Sequence, residues 1–183
     1  MNKIFHIILF IILTIFIPHK SYSITLDNLD NILIKNNIFG EFTQTKIIEG
    51  FPNPIISSGN FIIKDKILFW NTVKPRENNI KINESGIYSK KNDNSWNKIK
   101  SEYDKSLFLD IVNMNFSKID NLFNIKITGD NKNWEILLKP KSSIVGKIFK
   151  EIKIYGNKYV NNIHIIEENG DLTRMDFKNV YNK

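Results

Sequence analysis

Short apolar runs, cut at close intervals by turn-forming residues, constrain this chain more than any other feature. Asp65-Lys66, Glu84-Ser85, Asn92-Asp93-Asn94, Gly129-Asp130-Asn131, Gly156-Asn157 and Asn169-Gly170-Asp171 punctuate the sequence, and such residues carry the chemistry of hairpin turns. The runs between them are rich in Ile, Phe, Val, Tyr and Trp and too short for helices, so they read as strands. Strands are predicted at Phe39–Ile48, Ser58–Lys64, Ile67–Val73, Asn79–Asn83, Gly86–Lys90 and Ser95–Ile99. More follow at Phe123–Thr128, Trp134–Lys139, Ile148–Tyr155, Val160–Glu167 and Leu172–Tyr181. Pro52 and Pro54 put Gly50–Pro54 in a loop, because two prolines this close cannot sit inside a sheet. Three segments keep helical spacing instead. Thr25–Asn37 carries Leu26, Leu29, Ile32 and Leu33 on one face with Thr25 as cap; Ser101–Asn113 opens on a Ser101/Asp104 capping pair; Ser117–Leu122 is short. The fold class is mainly β with helices (α+β): about ten strands in one large antiparallel sheet, curled so that helices cover its concave face. Such a shape is a natural container for something apolar.

Residues 1–23 follow a different rule. Lys3 precedes an apolar stretch from Ile4 to Ile17, and Ser21 and Ser23 provide small residues before a cut. That is the layout of a secretory signal peptide, and the apolar stretch falls short of the roughly 20 residues of a membrane span. Cleavage near Ser23 leaves residues 24–183 as a single domain in the periplasm or outside the cell. An uncleaved amino-terminal anchor accounts for the same segment, since Lys20 and Tyr22 are unusual neighbours for a cut. Cysteine is absent, so an exported domain must hold together by packing alone, and no lipid can be attached through an amino-terminal cysteine. The formal charge of +7 falls to +5 once Lys3 and Lys20 are removed. The lysines are scattered and form no block, which together with export argues against nucleic acid as a partner.

Catalytic chemistry is sparse. Outside the leader, His164 is the one histidine, flanked by Ile163 and Ile165 and directed to the opposite face of its strand. No nucleophile-elbow pattern accompanies any serine, and metal sites of His and Cys are unavailable to the chain's composition. Glu167-Glu168 is adjacent in a strand, so its carboxylates face opposite ways. The sequence therefore reads as non-enzymatic, with no cofactor and no metal.

What the sequence has in surplus is aromatic bulk, with 13 Phe and 3 Trp. A well-filled core and an aromatic-lined container explain that surplus equally well. The order of motifs separates them. Phe39-Gly40-Glu41-Phe42-Thr43-Gln44 is followed by Ser58-Gly59-Asn60-Phe61 and Leu68-Phe69-Trp70, with Pro75 after them. Trp134 to Lys141 and Gly170 to Val180 complete the series. The series resembles the LolA family, the periplasmic carriers of outer-membrane lipoproteins, across nearly the whole chain after the leader. Gly50 to Gly59 looks closer to a LolA-like branch linked to envelope lipid and pigment gene clusters.

The resemblance implies an incomplete antiparallel barrel, lidded by helices, around a hydrophobic cavity for acyl chains. It implies a monomer that takes an acylated lipoprotein or lipid cargo from an inner-membrane donor complex to an outer-membrane acceptor. Phe42, Phe61, Leu68 and Trp70 are then the lipid contacts, while Trp96 and Trp134 belong to core or rim. The family's basic residue before the F-x-W motif is usually an arginine that ties the cavity edge to the lid. Lys64 stands at that position and cannot reproduce a planar multi-donor fork. Two alternatives remain: an accessory lipid-binding protein of a glycolipid or aryl-polyene-type pathway, and an amino-terminally anchored structural or adhesive envelope protein.

Overall fold

The computed structural model describes residues 24–99 and 106–183. The leader and the Ser101/Asp104 capping pair lie outside the described residues.

Thr25 caps the first helix, α1 (Leu26–Ile32). Its Oγ1 accepts a hydrogen bond from the Asn28 backbone N–H at 3.2 Å, and Asp27 sits in the first turn, at the positive end of the helix. The helix buries Leu29 but stops short of the expected Asn37. Leu33 is already extended, and the Ile34 N–H donates to the Lys158 carbonyl at 3.0 Å. That bond crosses most of the chain, so helical periodicity could not foresee it.

Six strands follow: β1 (Ile38–Ile47), β2 (Ile55–Lys64), β3 (Ile67–Lys74), β4 (Asn78–Asn83), β5 (Gly86–Lys90) and β6 (Trp96–Lys98). Two helices, α2 (Ser106–Val112) and α3 (Phe116–Leu122), interrupt the β run. The chain then continues through β7 (Phe123–Gly129), β8 (Trp134–Pro140), the one-turn helix α4 (Ser143–Gly146), β9 (Phe149–Gly156), β10 (Val160–Glu167) and β11 (Leu172–Asn182). The sequence reading did not anticipate α4, whose single turn is capped by the Ser142 hydroxyl accepting from the Val145 N–H.

All eleven strands lie in one antiparallel sheet, ordered β6-β5-β4-β3-β2-β1-β11-β10-β9-β8-β7. Strands consecutive in sequence pair with one another, except β6 and β7, and β1 pairs with β11, which joins the start of the sheet to its end. The sheet is curved and unclosed, with β6 and β7 as its outer strands. The segment carrying α2 and α3 runs between those two outer strands in sequence, α2 touching β4 and α3 touching β7.

Burial alternates along the strands as a one-sided core requires. Phe61 and Ile63 of β2, Leu68 and Trp70 of β3, Ile136 and Leu138 of β8, and Ile152 and Ile154 of β9 are buried. Leu29, Leu107, Ile111, Met114 and Ile119 join them from the helical segments in the same hydrophobic cluster. The helices thus cover the concave face.

The β2–β3 turn corrects one expectation. Counting parity straight through the chain groups Lys64 with Leu68 and Trp70. Asp65 and Lys66 instead take left-handed backbone angles, φ 51 and 62, and form a two-residue turn that pairs Lys64 with Ile67. Across that turn Ile63 opposes Leu68 and Phe61 opposes Trp70. Leu68 and Trp70 therefore share the concave face with Phe61 and Ile63, and Lys64 belongs to the convex face.

Candidate functional site

The concave face is organised by glycines set opposite large rings. In the β1–β2 register Gly40 pairs with Phe61, and Phe42 pairs with Gly59. A Cβ on Gly40 would come within 2.7 Å of the Phe61 ring, so the absence of that carbon lets the ring lie flat over β1. Gly59 serves a different neighbour: a Cβ there would fall 1.9 Å from the Asn71 carbonyl oxygen, so its absence lets the β3 backbone come close, while Phe42 reaches over β2 to stack on Trp70 of β3, with ring centroids 3.7 Å apart. The arrangement recurs on the other side of the sheet, where Trp134 of β8 pairs with Gly156 of β9 and a Cβ there would meet the indole at 2.4 Å. The Trp134 Nε1–H donates to the Asn157 carbonyl at 2.5 Å, which satisfies the one polar atom of a buried indole.

Trp70 is the hub of the cluster. Phe61 stacks near it at 6.2 Å, and Phe177 of β11 and Phe108 of α2 meet it edge-on at 6.2 and 6.0 Å. Phe61 and Phe177 make a further edge contact at 5.2 Å. Offset and edge-on ring pairs of this kind add about 0.5–1.5 kcal/mol each beyond the area they bury. Phe108 connects the lid to the sheet, so α2 closes directly on the ring cluster.

The structure brings Phe42, Phe61 and Trp70 into direct or near contact and places Leu68 beside them, fully buried. Phe108 and Phe177 complete the group, and the sequence reading did not single them out. The alternation Thr173, Met175, Phe177 in β11 carried the signal for the second. Trp96 lies instead at the outer strand β6, half-buried against Phe69 and Lys81. Lys64 is exposed, and among the described residues it makes no ion pair or hydrogen bond with the helices. His164 is half-buried against Tyr155, with ring centroids 5.3 Å apart, in the strand whose neighbouring Ile163 is fully buried. Burial, and then the positive charge of Arg174, hold its pKa below 6.5. It takes no part in the ring cluster.

The apolar space beside the ring cluster is small. The space left between Leu33, Ile38, Phe61, Met114, Tyr159 and Phe177 amounts to about 20 Å³, room for roughly one water. A far wider crevice, about 1380 Å³, opens between α1, the α2–α3 connection and the turns at Asp65-Lys66 and Glu84. Its lining includes Asp27, Asp30, Asp65, Glu84, Asp110 and Asp120 against Lys35, Lys66 and Lys118. Leu26, Leu109, Met114 and Phe116 line it as well, so the crevice mixes charged and apolar walls, unlike the purely aromatic cluster on the sheet. Met114 lines both spaces. Lys35 does so too, but Met114 is buried and sits in a left-handed backbone conformation (φ 50).

The sequence model of the family described as outer membrane lipoprotein carrier protein LolA matches residues 35–183. No curated protein matches the chain. Among solved structures it is similar to a LolA superfamily protein from Nitrosomonas europaea, at 6% identity and a TM-score of 0.46 over 88% of this chain and 94% of that chain. It is also similar to a DUF1329 family protein from Desulfovibrio piger, at 9% identity and a TM-score of 0.38 over 86% of this chain and 90% of that chain. The family match begins just before β1 and runs through every strand to the last residue, so the chain belongs to the LolA family.

Proposed function

We propose that the protein is a periplasmic, non-enzymatic carrier that holds the acyl chains of a lipoprotein, or of another acylated envelope molecule, between the curved sheet and its helical lid. Residues 24–183 act as one carrier domain, and Phe42, Phe61, Leu68 and Trp70 are the side chains that meet the tails. The observation that carries this reading is the ring cluster on the concave face, closed by Phe108 from the lid. A soluble carrier must hide acyl chains from water, each buried methylene contributing about 0.8 kcal/mol. When no tail is present the same surface must also be kept dry. Rings stacked on one another do that, and they separate when α2 lifts. Family membership supports the reading, since LolA proteins are carriers of lipid-modified cargo.

Met114 marks the route. A methionine is flexible enough to yield to a passing chain and refill the gap behind it, and Met114 is the buried residue that lines both the open crevice and the small apolar space. Release then needs a partner or a lid motion, because a filled apolar interior does not empty by itself.

Lys64 favours a second reading. It faces away from the cavity and holds no lid contact among the described residues, so a handover that depends on a latched lid fits this chain less well than carriage of a smaller glycolipid or polyene lipid. Titration with a fluorescent fatty acid tests the carrier reading. Saturable binding that is lost in Trp70→Glu and Leu68→Glu variants with native circular dichroism supports it. Equal binding by folded variants, or none by the wild type, would sink it.

A further inference from the structure

In the β1–β2 ribbon, β2 extends beyond its outer neighbour, while β1 stays paired with β11 as far as Ile47. β3 pairs with β2 only from Ser58 onward, so Ile55, Ile56 and Ser57 have β1 alone as a strand partner, and residues 48–54 form the tip. The base is anchored: the Glu49 N–H donates to Asp171 Oδ1 at 3.0 Å, and Lys46 bridges Glu167 and Asp171. Opposite Lys46 and Thr45, and at the tip, the ribbon is apolar on both sides. Phe51 is 68% exposed, and Ile55 and Ile56, which as consecutive strand residues point to opposite faces, are 55% and 56% exposed. Ile47 and, on neighbouring β3, Val73 are also exposed. A flat protein partner would cover one face of such a ribbon and leave the other wet. A medium that surrounds the tip satisfies both, and a lipid layer is such a medium.

The rest of this end of the sheet agrees in shape and charge. β8 ends and β9 begins here, and between them α4 presents Ile144, 76% exposed. The connections around these apolar points expose Lys74, Arg76, Lys147 and Lys150 against Glu49, Glu77 and Glu168. Exposed Lys141 is held by Asp120. The cations are in excess, so an anionic layer is preferred over a neutral one.

We propose that this end of the molecule docks on a membrane surface carrying anionic phosphates, with Phe51, Ile55 and Ile56 inserted beneath the headgroups. Aromatic and aliphatic side chains at a rigid tip, flanked by lysine and arginine, combine burial of apolar area with attraction to lipid phosphate. The docking goes beyond carriage and does not depend on it: an empty molecule docks, and a molecule whose interior is blocked docks too.

The chain has no cysteine, so a single introduced thiol is a unique labelling site. An environment-sensitive fluorophore placed on Ile55→Cys, Ile56→Cys and, as a control at the far end of the sheet, Glu84→Cys reads the depth of each position. The full chain also carries the apolar segment 4–17, which can hold it on vesicles; the label reports the ribbon itself and not attachment elsewhere. With phosphatidylcholine vesicles containing phosphatidylglycerol and brominated acyl chains, labels at both 55 and 56 are expected to shift to the blue and be quenched, while the label at 84 is unchanged. Omitting phosphatidylglycerol is expected to weaken the 55 and 56 signals about fivefold or more, the effect of roughly one interfacial cation or more. Labels at 55 and 56 that stay in water on bound vesicles, or a response from only one of the two, would overturn the insertion. A response equally strong without anionic lipid would overturn the role given to the cations.

Discussion

Gly40 and Phe61 oppose each other across β1 and β2, and a Cβ on Gly40 would stand 2.7 Å from Cε1 of the ring. Two residues along, the roles reverse, with Phe42 opposite Gly59. The two G-x-F stretches thus face each other in register, but only Gly40 makes room for the opposing ring; a Cβ on Gly59 would fall 1.9 Å from the Asn71 carbonyl oxygen of β3. Gly40→Ala gains about 0.5–1 kcal/mol from the stiffer unfolded chain and strand preference but forces the Phe61 ring off its site at a cost of about 1–3 kcal/mol. Urea denaturation is expected to show a net loss of stability. An unchanged or raised midpoint would mean that the ring has room to move and that the pairing is incidental.

Trp70 should dominate the packing of the concave face. It touches rings from β1, β2, β11 and α2, whereas Trp96 sits half-buried at the outer strand. Trp70→Ala is expected to cost about 3–5 kcal/mol, and Trp96→Ala much less, measured by the same denaturation curves. Equal losses at the two positions would contradict the hub role.

Met114 lines both the wide crevice and the small apolar space and adopts a backbone conformation that favours glycine. Met114→Gly relieves roughly 1–2 kcal/mol of left-handed strain while removing a buried side chain worth about 2–5 kcal/mol. A less stable protein that takes up a fluorescent fatty acid faster in stopped-flow mixing is the expected outcome. Slower or unchanged uptake would place the route elsewhere.

Acid should weaken the fold in two separate windows. The His164 pKa lies below 6.5 because of burial, then the charge of Arg174, with Lys153 in the same sense and Asp176 opposing. The folded imidazole therefore binds its proton less readily than the unfolded one, so stability drops as pH falls from about 6.5 through the folded value. The Asp171 pKa lies below 3.8, held down by the Glu49 backbone N–H and by Lys46. Its contribution is complete above about 3.8 and is lost as pH falls further through the folded value. In His164→Gln the first decline should vanish and the second persist; a first decline that survives the substitution would assign it to another group.

Much of the sheet could be read from turn chemistry. Asp65-Lys66, Asn92-Asp93-Asn94 and Asn169-Gly170-Asp171 all sit where strands end, and β5 and β10 have the predicted bounds. The misreadings share one cause, which is that tertiary pairing decides them. The cut-off of α1 depends on a bond from Ile34 to Lys158, and the extra length of β2 depends on Ile55 and Ile56 pairing with Lys46 and Thr45. The side of Lys64 depends on how a two-residue turn maps one strand onto the next. Phe42, Phe61, Leu68 and Trp70, singled out from the order of motifs, all lie buried on the concave face. Phe108 was not singled out, because its contact with Trp70 is made only when α2 is laid across the sheet.

Native mass spectrometry of the protein, purified gently from the envelope of its own host, tests the carrier reading most directly. The account expects co-purifying acyl species that disappear in Trp70→Glu and Leu68→Glu, with masses that separate a lipoprotein from a small lipid. A folded wild-type protein that is empty under every gentle condition, and that also fails to take up a fatty-acid probe, would mean that the ring cluster is core alone and that this member of the family does not carry lipid.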